Sequence, residues 1–254
     1  MNVSKALATS LLRSMAGFLS GQDGRTSLLI LIFHRVLERP DALLPGEPDA
    51  EAFRRLMEVV AKHFNVLPLR EAIARLTQSD LPKRSVCVTF DDGYANNCEI
   101  ALPILIRFGI PATAFIASGF LNGGRMFNDS VIEAVRGAQN TLDLRSHGLG
   151  EFPVNDETSR VGAIDTLIGK LKYMDPEVRA TLADRICQAA EVESPRNLMM
   201  TDAQVKKLHS SGIEIGAHTV SHPILSVVDR DRARREIREN KAVLESITGA
   251  PVTT

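Results

Sequence analysis

The chain has 254 residues, 44% hydrophobic and 24% charged, which suits one large globular domain that buries a core without disulfides or a structural metal. Thirty basic residues against thirty-one acidic ones leave a formal charge of −1, so no electrostatic case exists for nucleic acid or an anionic membrane as partner. Cys87, Cys98 and Cys187 are too few and too scattered for a disulfide framework or a CxxC metal site, and Cys87 and Cys187 are expected to fill the core.

The N-terminus loosely imitates a secretory signal, but Arg13 interrupts its apolar stretch and no A-x-A site follows. Residues 1–27 are therefore expected to form an amphipathic helical segment on a chain that is cytoplasmic or peripheral to the inner membrane. Residues 28–33 are apolar over six positions, far short of the roughly twenty a membrane span needs. They read instead as a first strand, which ends in His34-Arg35. Asp49 caps a helix with Phe53, Leu56, Val60 and Phe64 on one face. Strands are expected at 66–69 and 86–90, the second running into Asp91-Asp92-Gly93. A helix follows from Asn96 to Phe108, stopped by Gly109 and Pro111. Residues 113–117 make the next strand.

The stretch from about 120 to 200 reads as a helical insertion, with a short strand at 142–144 and two helices over 156–191 broken near Asp175-Pro176. Thr201 caps a helix to Ser211, and a strand at 213–217 leads into His218 and His222. The last helix runs from Asp229 to Thr248, with Ile237, Leu244 and Ile247 on one face and its Arg and Glu residues on a solvated one. An apolar stub begins near Val252. Alternating strands and helices predict a parallel sheet covered by helices, either an open α/β sheet or a (β/α) barrel, with ligand sites at the carboxyl ends of the strands.

Two features carry chemistry. Asp91 and Asp92 follow a strand directly, and Gly93 lets the chain turn there; alone, this could be an acidic turn. His218 and His222, four apart at the end of another strand, can point both imidazoles at one ion. Pro223 argues against a long helix starting there. Two His and one carboxylate suit Zn²⁺ or a related first-row divalent ion, with positions left open for water and substrate.

At these residues the sequence resembles the polysaccharide deacetylases, the carbohydrate esterase group with the NodB-homology domain. Thr89-Phe90-Asp91-Asp92-Gly93 matches the family's TFDDG motif, and His218-Thr219-Val220-Ser221-His222 its H-[ST]-x-x-H motif, in the family's order. The resemblance implies a (β/α) barrel over residues 28–254 and metal-dependent hydrolysis of the N-acetyl group of an N-acetylated glycan. It gives Asp91 the role of catalytic base and makes Asp92, His218 and His222 the ligands of a divalent ion, Zn²⁺ first, with Co²⁺ or Ni²⁺ as alternatives. The strand ending in His34-Arg35 is similar to the N-terminal motif of the branch that deacetylates poly-N-acetylglucosamine and related exopolysaccharides. It makes His34 the candidate general acid; otherwise His34 simply closes a strand end. His63, His147 and His209 have no such partners and are expected to be surface or packing residues.

The resemblance breaks at the C-terminus. The family's aromatic- or Arg-Pro-Tyr-Gly-type strand and its later motif, with the charged residue that orients the base, do not follow the His pair. Six strands and a stub stand where the family uses about seven or eight. The expectation is a truncated barrel in which the metal site assembles but activity is weak or missing. The alternative is an inactive deacetylase-fold protein that serves as a carbohydrate-binding or scaffold module. No G-x-S-x-G elbow, Walker loop or G-x-G-x-x-G is present to support other chemistry.

Overall fold

The computed structural model describes residues 27–193 and 196–253. The N-terminal helical segment expected over 1–27 therefore lies, but for its last residue, outside the described residues. The sheet is built around β3 (Ser85–Phe90), buried along its whole length. β1 (Leu29–Phe33) runs parallel to it in the register Leu29 to Val86 through Phe33 to Phe90. β2 (Asn65–Val66) lies beside the start of β3 and β4 (Thr113–Ile116) beside its end. β7 (Glu214–Ala217) pairs with β4, again parallel. This α/β arrangement, a parallel sheet with helices in its crossovers, points every strand's carboxyl end the same way. Among the described residues no strand joins β1 to β7, so the wall is open there.

Four helices pack against the face of β3 that carries Val86, Val88 and Phe90. α1 (Ala50–His63) is capped by Asp49, whose carboxylate accepts from the Ala52 amide, and buries Phe53, Met57 and Val60 at helical spacing. Phe53 packs edge-on against Phe33 at 5.1 Å and also meets Phe90. α3 (Leu102–Phe108) follows a single π turn at Asn97–Ala101 and ends at Gly109 in the left-handed conformation. α7 (Asp202–Ser210), with a Thr201–Gln204 capping box, and α8 (Arg230–Thr248), capped by Asp229, complete this core through Val205, Leu208 and Leu244.

A second core fills the 120–200 region. α4 (Phe127–Gly137), the hairpin β5 (Thr141–Leu144) and β6 (Gly150–Pro153), α5 (Glu157–Leu171) and α6 (Pro176–Ala189) bury Val131, Leu142, Leu167 and Ile186 together. All three cysteines are buried and none is in a disulfide; Cys187 Sγ donates to Ser130 O (3.3 Å). No described helix is long and apolar enough to cross a membrane.

The structure corrects several sequence expectations. The strand placed at 66–69 stops at Val66; after Pro68, Leu69 opens helix α2 (Leu69–Thr77), whose Leu69 and Ala72 are buried. Residues 142–144 are in a strand, but one that pairs antiparallel with β6, away from the main sheet, because Gly148 and Gly150 at positive φ fold the chain back. On α8 the buried face carries Glu236, Asn240 and Leu244, while Ile237 is 48% exposed. Val252 is buried but forms no strand; its amide donates to Glu245 and its carbonyl accepts from Lys241.

Candidate metal centre

Three strand ends supply the site. The turn after β3 is tied down on all sides: the Asp91 amide donates to Phe33 O at the end of β1 (2.9 Å), the Ala117 amide to Asp92 O beyond β4 (3.1 Å), and the Met200 amide to Gly93 O (2.9 Å). Asp92 and Gly93 both take positive φ, 76° and 96°. Aspartate tolerates this better than most residues. A Cβ on Gly93 would come within 2.9 Å of the Ile116 side chain. The result is an Asp92 residue buried at 4% exposure whose carboxyl faces His218 and His222.

The turn after β7 is also strained. Thr219 (φ 65°) and His222 (φ 50°) are left-handed, uncommon for any residue with a side chain and most costly for a β-branched one. Two buried polar residues of α8 hold it. Asn240 accepts from the His218 amide (3.0 Å) and donates to Ile116 O (2.9 Å), Thr219 O (2.5 Å) and Ser118 Oγ (2.9 Å). Glu236 accepts from the amides of Val220 and Ser221 (both 2.8 Å) and from the Ser221 hydroxyl (2.5 Å). Gly119 approaches so closely that a Cβ there would lie 2.5 Å from Val220 O.

These two turns bring Asp92, His218 and His222 together. Asp92 Oδ1 lies 3.6 Å from His218 Nε2 and 3.5 Å from His222 Nε2, and the two Nε2 atoms are 3.1 Å apart. Two ligands each about 2.1 Å from a tetrahedral ion stand about 3.4 Å apart, so the triangle fits one small divalent cation. Asp92 Oδ1 is buried without a hydrogen-bond partner, the condition a cation relieves. Burial pushes the Asp92 carboxyl above its ordinary range, opposed by the charges of His34 and His218. Burial also pulls His218 and His222 below the usual imidazole value, helped by mutual repulsion at His218 and by Arg179 and His34 at His222. Lowered values favour neutral imidazoles, the form that ligates metal. Among the described residues this is the one such cluster of three or more His, Cys, Asp or Glu side chains.

Asp91 is half-buried and His34 exposed, and the charge of each bears on Asp92, His218 and His222. Clefts open at the site, one of about 530 Å³ beside His34 and one of about 480 Å³ lined by His218, Thr219 and His222. Sequence reasoning missed Glu236 and Asn240, which sat inside what looked like a solvated charge run. Their spacing of four, in phase with Leu244, was the available signal. It also missed Arg35 and Arg179. Arg35 is buried, ion-paired with Asp129 and stacked 4.0 Å over the Tyr94 ring. Arg179 lies against the His222 turn.

A parallel sheet with strand-end ligands defines the class to which comparison then assigns the chain. The profile of the polysaccharide deacetylase family matches residues 78–150 and 169–254, and the chain belongs to that family. A poly-β-1,6-N-acetyl-D-glucosamine N-deacetylase of Staphylococcus epidermidis is 23% identical over 244 residues, covering 86% of this chain and 81% of that one. The Bacillus subtilis protein YxkH is 26% identical over 132 residues, 52% of this chain and 46% of that one, so the match spans less than half of that relative's length. Among solved structures, the Streptococcus pyogenes deacetylase PplD in complex with acetate superposes with a TM-score of 0.54 at 16% identity, covering 89% of this chain and 70% of that one. The chain therefore shares the (β/α) barrel-type fold of these deacetylases, with barrel closure not seen among the described residues.

Proposed function

We propose that the chain hydrolyses the N-acetyl group of an N-acetylated sugar within a poly- or oligosaccharide, releasing acetate and leaving a free amine. The observation that carries this reading is the triangle of Asp92, His218 and His222, sized for one divalent ion and flanked by a second carboxylate and a third imidazole. An ion held there, Zn²⁺ first and Co²⁺ or Ni²⁺ after it, would polarise the acetamide carbonyl and make a bound water acidic.

Asp91, next in sequence to the ligand Asp92 yet outside the triangle, is the base. It accepts a proton as water adds to the acetamide carbon, a contribution typically of about 10²–10⁴ in rate. His34, which leaves the end of β1 next to the strand that carries Asp91, delivers a proton to nitrogen as the carbon–nitrogen bond breaks. An amide is a poor electrophile with a poor leaving group, so base and acid are both needed. The substrate class follows the name of the Staphylococcus epidermidis relative, and poly-N-acetylglucosamine oligomers are the first glycans to assay.

The test is acetate release from such oligomers by the Zn²⁺-loaded protein. Asp91→Asn is expected to lower turnover by about 10²–10⁴ while leaving the ion bound, and a chelator is expected to remove the activity. Acetate release that survives both changes refutes the proposal. Glycan binding without any release by the unaltered protein would favour a non-catalytic carbohydrate-binding module.

A further inference from the structure

We propose that Arg179, on the inserted helix α6, is a positioning residue that sets the angle at which His222 meets the ion; the proposal rests on the metal-site reading above. Arg179 is 4% exposed, and its guanidinium donates to Ser221 O (3.1 Å), His222 O (3.0 Å) and Lys172 O (3.4 Å). Its flat face lies 4.4 Å from the centroid of Phe127. The carboxylate whose charge bears on it, Asp175, is hydrogen-bonded to Arg232 instead. A guanidinium is costly to bury without compensation, and here the compensation comes mainly from the backbone carbonyls of the ligand turn and an aromatic face.

The geometry of that turn gives the arrangement its purpose. Glu236 takes the Val220 and Ser221 amides and the Ser221 hydroxyl, and Arg179 takes the Ser221 and His222 carbonyls. A carboxylate therefore holds the N–H groups of the turn and a guanidinium holds its C=O groups, each meeting the matching end of the peptide dipoles. His222 is left-handed at φ 50°, a conformation that survives only when its surroundings impose it. Removing Arg179 frees the carbonyl of the ligand itself. The imidazole would then swing relative to Asp92 Oδ1, now 3.5 Å away. Through Arg179 the second core, built from residues 127–190, reaches the metal centre without contributing a ligand.

Groups that orient metal ligands typically affect affinity by about 10–100-fold. Zn²⁺ affinity of the full chain is measured by competition with a chromophoric chelator, and the ligand field by the visible spectrum of the Co²⁺ form. The variants are Arg179→Met, Arg179→Lys and, as a control on the exposed side of the same helix, Arg185→Met. Zn²⁺ binding is expected to weaken about 10–100-fold in R179M, with an altered Co²⁺ spectrum, to recover in part in R179K, and to stay unchanged in R185M. Should R179M fail to fold, R179K alone decides, since a lysine keeps the charge but loses the two-carbonyl fork. Unchanged affinity and spectrum in the folded Arg179 variants overturn the proposal while leaving the metal site standing. Failure of the unaltered protein to bind Zn²⁺ overturns both.

Discussion

Asp92 owes its position to a backbone that few residues tolerate. With φ at 76° for Asp92 and 96° for Gly93, the chain reverses within two residues of a fully buried strand, and the carboxyl is thrown toward the histidines. Gly93→Ala would strain that backbone and set a Cβ 2.9 Å from the Ile116 side chain. The expected cost is about 1–3 kcal/mol in urea unfolding, with weaker Zn²⁺ binding because Asp92 moves with the turn. An unaltered unfolding midpoint would show that the turn is not under this constraint. Asp91, Asp92 and His218 were legible because each follows a strand end, where parallel topology puts ligand-facing groups, and His222 because it stands four residues after His218. His34 follows β1 in the same way, but its role as general acid comes from the resemblance of that motif alone. Arg35 and Arg179 were not, since an arginine near a strand end or in a helix is ordinarily solvated, and their burial depends on how the 120–200 region folds back.

Helix α8 braces the turn that carries His218 and His222. Glu236 and Asn240, one turn apart, satisfy the amides and carbonyls of a loop that has no regular structure of its own. Asn240→Ala takes the donor from the Thr219 carbonyl, while Ile116 O keeps the His218 amide at 3.2 Å, and a buried group left without its partner costs about 1–3 kcal/mol. A loss of about 1–3 kcal/mol in thermal or urea unfolding is therefore expected, and a loss well below about 1 kcal/mol would contradict the brace. Helix ends were legible at this scale because Asp49, Thr201 and Asp229 cap by direct side-chain bonds. α2 was not, because Val66 to Leu69 is a short apolar run whose periodicity cannot separate strand from helix. The hairpin partner of Leu142–Leu144 was hidden for a related reason: strand character does not name a partner, and β6 carries Gly150 and Pro153, both poor strand formers.

At the scale of the molecule, two large hydrophobic clusters carry the fold, one around β3 and one built mostly from residues 127–190. Arg35, just after β1, crosses to Asp129 on α4 and stacks on Tyr94, whose hydroxyl donates to the same carboxylate (3.3 Å). Arg35 and Asp129 are both buried, so Arg35→Met leaves an uncompensated anion inside the protein. Destabilisation by about 3–5 kcal/mol is expected, read from urea unfolding, with a loss under 1 kcal/mol as the contrary result. The central claim is that Asp92, contributed from the first half of the chain, and two imidazoles from near its end grip one ion. Titration of Zn²⁺ into the metal-free protein, followed by calorimetry, tests this most directly. One ion per chain is expected, with binding lost or severely weakened in Asp92→Asn, His218→Ala and His222→Ala alike and retained in Asp91→Asn. Stoichiometric binding that is indifferent to all three ligand substitutions would contradict it.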